Sequence, residues 1–158
     1  MIRVQSFDFD VGLELKKLTE GNHQIGAVTS FVGLVRDIAD KDTISAMVLE
    51  HYPGMTEKQL ADIEHEANQR WDLNSSLIIH RYGHLEPGDN IVLVACASSH
   101  RENAFDACHF LIDWLKTKAP FWKLEETSEG GRWVEAKTKD DIASVSYTHL
   151  TLPTKRIV

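Results

Sequence analysis

The chain has 158 residues and 42% hydrophobic content, enough for one domain with a core of its own. Its formal net charge of −7 argues against a nucleic-acid partner, and its two cysteines give no disulfide framework. No apolar run approaches the ~18 residues needed to span a bilayer, and Met1-Ile2-Arg3-Val4-Gln5-Ser6 opens as a strand rather than a secretory signal, so the expectation is a soluble, reduced, cytoplasmic protein.

In chain order, the pattern predicts a strand over 2–7, a short helix within 10–19, and strands within 25–35 and 43–51. The polar stretch 37–42 reads as an ordinary solvated turn beside Arg36, with a loop that orders on substrate as the alternative. A helix follows from Thr56, whose spacing to Gln59 is that of a capping box, with Leu60, Ile63, Ala67 and Trp71 on one face. Strands over 75–83 and 90–97 are split by the turn Pro87-Gly88-Asp89-Asn90. Ser99 and Glu102 have the spacing of a second capping box, opening a helix with Ala104, Phe105, Cys108, Leu111, Ile112 and Leu115 on its buried stripe. Pro120 ends that helix near Lys118 and releases the chain into a strand. Segments 123–126 and 132–137 flank Gly130-Gly131 and read as a hairpin. The fold class is α+β, a single domain with a mixed or antiparallel sheet and flanking helices.

The long helix carries the clearest chemical signal. His100 and Arg101 lie at its start and Lys116 at its end, with Lys123 just beyond, and the four side chains are expected to converge on an anion. The unpaired N–H groups and dipole of a helix N-terminus favour negative charge, and a cation in the first turn is what a bound anion would offset. Cys96 and Cys108 sit in an apolar strand and on an apolar helix face, where each reads as a small, inert hydrophobe rather than a sulfur carrier. His80 and His84, considered with His100, have a His-x-x-x-His spacing that binds metal chiefly on a helix, whereas Arg81, Gly83 and Pro87 indicate a strand ending in a loop, and neither a metal nor another cofactor is expected.

An ordered set of motifs spanning 1–143 resembles the large, catalytic subunit of molybdopterin synthase. The stretches that carry it are Gly26-Ala27, Phe31-Val32-Gly33-Leu34-Val35-Arg36, Leu49-Glu50-His51-Tyr52-Pro53-Gly54-Met55, Ile79-His80-Arg81-Tyr82-Gly83-His84, Ser99-His100-Arg101, Leu115-Lys116, Ala119-Pro120-Phe121-Trp122-Lys123 and Arg132-Trp133-Val134-Glu135-Ala136. The resemblance implies an α/β hammerhead fold and a sulfurtransferase of molybdenum cofactor biosynthesis. Such an enzyme takes sulfur from the C-terminal thiocarboxylate of a small ubiquitin-like subunit and converts cyclic pyranopterin monophosphate into the dithiolene of molybdopterin. It further implies a homodimer with pockets near the subunit boundary and a heterotetramer with two small subunits. Position by position, the implied substrate site is Leu34, Val35, Arg36, His100, Arg101, Lys116, Lys123, Leu124 and Glu125, with Lys116 and Lys123 catalytic. Lys137 stands where the family carries arginine, keeping the charge but losing the planar fork.

These residues suit that chemistry, because a phosphate and a thiocarboxylate are both anions and must be held together. Arg36 and Arg101 can fork onto phosphate, and His100 can add a hydrogen bond. Lys116 is the first choice for general acid/base, its amine brought toward a useful range by neighbouring cations, and Lys123 for orienting the thiocarboxylate or stabilising an oxyanion. A non-catalytic dimeric scaffold that binds a ubiquitin-like tail is the alternative. A phosphate-ester enzyme would need a water-activating carboxylate, for which Glu125 is the nearby candidate. Residues 144–158 depart from the family, lack any acidic residue and read as an atypical, disordered or non-native tail.

Overall fold

A computed structural model describes residues 1–39, 42–127 and 130–134. It comprises β1 (Ile2–Gln5), α1 (Val11–Thr19), β2 (Ala27–Leu34), β3 (Ile38–Ala39), β4 (Asp42–His51), α2 (Met55–Arg70), β5 (Ser75–Arg81), β6 (Gly83–Leu85), β7 (Asn90–Ser98), α3 (Arg101–Thr117), β8 (Phe121–Thr127) and β9 (Gly130–Val134). This is the expected α+β arrangement. No helix among the described residues is long and apolar enough to cross a membrane.

β5 and β7 are nearly continuous apolar runs because both of their faces are covered. They lie at the centre of a sheet ordered β1-β5-β7-β2, in which only β1 and β5 run parallel. Strand alternation divides their side chains between two cores. Leu77, Ile79, Leu93 and Ala95 pack with Phe9 and partly buried residues of α1. Ile78, Val92, Val94 and Cys96 face Ile63 and Ala67 of α2 and Ala107, Cys108, Phe110 and Leu111 of α3. Each fully buried Leu or Ile contributes about 1.5–3 kcal/mol, so the two layers account for most of the gross hydrophobic term. Arg3 and Glu14 tie β1 to α1 through a two-pronged ion pair. That contact with Arg3 holds the Glu14 carboxyl below its ordinary range, against the opposing effect of burial.

A second sheet is built on β4, which pairs with β3 at its start, with β6 along one side and with β8 along the other, β9 lying outside β8. Met47, Leu49 and Leu85 close onto Val35 to form a third, smaller core between the sheets.

Several local expectations change. α2 begins at Met55 after Gly54, and Glu57 reaches back to accept from the Gly54 N–H at 2.6 Å. Thr56 is therefore not the cap. It is fully buried, accepting from the Tyr52 N–H at 2.9 Å and donating to the Pro120 carbonyl at 3.3 Å. The Ser99 and Glu102 box is also absent: His100 is the N-cap of α3 and makes no side-chain cap bond. Phe105, assigned above to the buried stripe, is 58% exposed, while Ala107 and Phe110 are buried in its place. The predicted strand over 75–83 is interrupted at Tyr82, after which β6 joins the other sheet. Within the stretch read as a turn, Ile38–Ala39 forms a short strand against β4, and residues 40 and 41 lie outside the described residues. Gly130 and Gly131 belong to β9 rather than to the turn. Lys137, the 143/144 boundary and the tail 144–158 lie outside the described residues.

Candidate functional site

Pro120 ends α3 as expected, with Lys118 as C-cap, so Lys116 sits in its last turn. His100 and Arg101 stand at the other end. A rise of 1.5 Å per residue separates Arg101 from Lys116 by about 22 Å along the axis. Within one chain the four side chains expected to converge therefore form two cationic groups at opposite ends of one helix. The N-terminal group is held close to β2. The Gly26 N–H donates to the Ser98 carbonyl at 3.0 Å, and a Cβ on Gly26 would meet the Ser99 carbonyl oxygen at 2.4 Å, so only glycine allows this approach. Both His100 and Arg101 are exposed.

The C-terminal group is built where the two sheets meet. In β8, alternation puts Phe121, Lys123 and Glu125 on one face, opposite His51, Leu49 and Met47 of β4. Leu49 and Met47 belong to the third core, so this face looks inward: Glu125 is 5% exposed and Lys123 half-buried. Phe121 meets the ring of His80, which comes from β5, with centroids 3.6 Å apart and planes 15° from parallel. His51 adds a second imidazole, 6.4 Å from Phe121 and 4.3 Å from Tyr82, with Nε2 at 3.7 Å from Glu57. Burial pushes His80 down to about 4. The hydrogen bond to the Arg81 carbonyl opposes that shift, while the charges of Lys116, Lys123 and His51 reinforce it. Lys116 and Lys123, seven positions apart and on different elements, thus both act electrostatically on one buried ring.

Val35 is buried in the third core beside Leu49, the cross-strand partner of Lys123, and its N–H donates to the Asp89 carbonyl at 2.9 Å. That core fixes the backbone of Leu34-Val35-Arg36 while leaving Leu34 and Arg36 exposed. Leu124 points to the opposite face of β8 and covers Gly131. His80, Phe121, His51, Tyr82 and Thr56 were not among the site residues expected from sequence. The available signal was His80 itself, a titratable residue ending the apolar run Leu77-Ile78-Ile79 in a central strand, where its alternation with Ile78 aims it at α2 and α3.

Cys96 and Cys108 are both buried, and the hydrogen bond between them together with burial pushes the Cys96 thiol up, away from the thiolate a sulfur carrier needs. His80 and His84 lie on different strands of different sheets. No group of three or more His, Cys, Asp or Glu among the described residues is arranged to hold a metal.

Comparison with known proteins identifies the family. The family model described as MoaE protein matches residues 4–118. The molybdopterin synthase catalytic subunit of Ralstonia nicotianae is 59% identical over 142 residues, covering 90% of this chain and 81% of that protein. The structure of the molybdopterin biosynthesis MoaE protein from Burkholderia ambifaria superposes with a TM-score of 0.80 at 49% identity, covering 94% of this chain and 97% of the other. The crystal structure of molybdopterin synthase from Staphylococcus aureus gives a TM-score of 0.77 at 31% identity, covering 84% and 95%. With its motifs in family order, a family model matching most of its length and structural likeness over nearly all of it, the chain belongs to the MoaE family.

Proposed function

We propose that the chain is the catalytic subunit of a molybdopterin synthase, a sulfurtransferase that moves sulfur from the thiocarboxylate tail of a small ubiquitin-like subunit onto cyclic pyranopterin monophosphate. What supports this reading is that Lys123 lies on the inner face of β8 two residues from the Phe121–His80 stack, and that its charge and that of Lys116 both bear on the buried His80 ring. Two amines supplied by different elements and acting on one buried ring in an acidic protein suit a reaction that must bring two anions together. Lys116, exposed at the helix end, is the general acid/base. Lys123, half-buried on the inner face of β8, orients the thiocarboxylate and stabilises the charge that develops as oxygen leaves the pterin carbon. Val35 and the exposed Leu34 and Arg36 form an adjoining wall, Arg36 offering its fork to phosphate. Leu124 contributes through its backbone only, since its side chain lies on the far face.

His100 and Arg101 stand too far from Lys116 along α3 to touch the same small substrate, so a complete site requires the N-terminal end of α3 from a second copy. A homodimer with two pockets at its boundary, each receiving one small-subunit tail, satisfies that requirement and gives a heterotetramer.

The test uses the full chain with thiocarboxylated small subunit and cyclic pyranopterin monophosphate, reading molybdopterin formation. Lys116→Ala and Lys123→Ala are each expected to lower turnover by about 10²-fold or more while leaving small-subunit affinity within about threefold. Unimpaired turnover in both variants would remove the lysines from the chemistry, and no turnover in the parent chain would favour a binding scaffold.

A further inference from the structure

We propose that His80 is a positioning residue for sulfur transfer: by stacking on Phe121 it fixes where Lys123 stands relative to Lys116. The inference rests on the reading of those lysines as the working amines. Lys116 and Lys123 belong to elements joined only by the short connection 118–120. That connection is pinned by backbone bonds from the Lys118 N–H to the Trp114 carbonyl and from the Phe121 N–H to the Ala119 carbonyl, both 2.8 Å, and by the Thr56 hydroxyl on Pro120. None of these holds the Phe121 side chain. The ring beneath it is His80, on the central strand of the other sheet, so the stack forms a joint between the two sheets. Phe121 and Lys123 are two residues apart on one face, about 6–7 Å along the strand, so a tilt of Phe121 is passed directly to the lysine.

The ring is itself held. His80 Nδ1 lies 2.8 Å from the Arg81 carbonyl, which can only accept, so Nδ1 carries the proton and the imidazole cannot rotate freely. His80 is 8% exposed, and its surroundings include Lys116 of α3, Lys123 of β8 and His51 of β4. A neutral ring in that place supports Phe121 without adding a third cation beside the two amines. His80 need not touch substrate, and its effect is on where the amines point.

The experiment measures steady-state molybdopterin formation by the full chain with its thiocarboxylated partner, comparing His80→Ala and His80→Phe with Lys116→Ala and Lys123→Ala. Misplacing a reacting group by about 1 Å costs up to ~10²-fold. His80→Ala is expected to lower kcat about tenfold or more with KM changed less than about threefold, and His80→Phe, which keeps a ring face under Phe121, to recover most of the loss. If His80→Ala does not fold, Phe121→Leu removes the stack from its other side and carries the same expectation. Loss of kcat in both lysine variants alongside near-parental kcat in His80→Ala or Phe121→Leu would overturn the inference alone. A loss confined to KM, or no recovery in a His80→Phe protein that melts like the parent, would overturn it equally. Retained turnover in the lysine variants would overturn the lysine reading and this inference with it.

Discussion

A histidine buried under Phe121, with the charges of two lysines and a second imidazole bearing on it, is costly to protonate, and that cost links the site to stability. In the unfolded chain His80 titrates near ~6.5, whereas in the fold burial, reinforced by Lys116, Lys123 and His51 against the Arg81 hydrogen bond, holds it down to about 4. Because the folded value is the lower one, the neutral ring's contribution is fully present above about pH 6.5 and is lost as pH falls toward 4. The change amounts to about 3 kcal/mol at its limit. Urea unfolding of the parent chain and His80→Phe at intervals from pH 8 to 4.5 is expected to show the parent losing ground to the variant below pH 6.5. A difference that stays constant with pH would mean that the ring titrates normally. The sequence displays this residue without displaying its situation. Alternation shows His80 facing the same core as Ile78, but nothing local indicates that Phe121, 41 positions later, closes over it. The roles proposed for Lys116 and Lys123 come from family resemblance, since Pro120 removes the helical spacing that would have put them on one face.

The elements follow periodicity well and capping poorly. β5, β7, α2 and α3 carry long, strongly patterned runs, and their existence and type can be read directly. Caps depend on which of two overlapping patterns wins. In Pro53-Gly54-Met55-Thr56-Glu57-Lys58-Gln59 both Gly54/Glu57 and Thr56/Gln59 have cap spacing, and the turn formed by Gly54, at φ 85°, gives the start to the former. Thr56 is thereby released to join α2 to the α3–β8 connection. Thr56→Val keeps the shape but removes the hydroxyl that serves the part-buried N–H of Tyr52 and carbonyl of Pro120. At about 1–3 kcal/mol for an unmet group, the variant is expected to lose about 2–3 kcal/mol, seen as a lower urea midpoint at unchanged slope. Thr56→Ser, which keeps the hydroxyl, is expected to lose less than half of that. Equal losses in the two variants would show the methyl contact, not the hydrogen bonds, to be the tie.

At the scale of the whole molecule, the helix that positions both cationic groups also prevents them from meeting. Proximity along the chain suggests one anion for all four side chains, but it leaves out the length of the rod between them; 17 residues of α3 is a rigid spacer, not a hinge. The proposed two-fold association would resolve the conflict, since an isologous dimer that brings one chain's Arg101 to its partner's Lys116 does the same in reverse, giving two equivalent composite sites. This arrangement has a consequence that no single-chain site shares. Arg101→Ala and Lys116→Ala are each expected to be nearly inactive alone, because every site in either homodimer lacks one group. Co-expressed, they form mixed dimers in which one site carries both substitutions and the other carries neither. Random pairing makes half of the dimers mixed, so about a quarter of all sites are intact, and the co-expressed preparation is expected to recover about a quarter of parental turnover. Separately tagged copies and tandem purification of the mixed dimer should raise that figure to about half. Activity no greater than the average of the two single variants would mean that Arg101 and Lys116 do not meet across a two-fold interface, and would overturn the composite site.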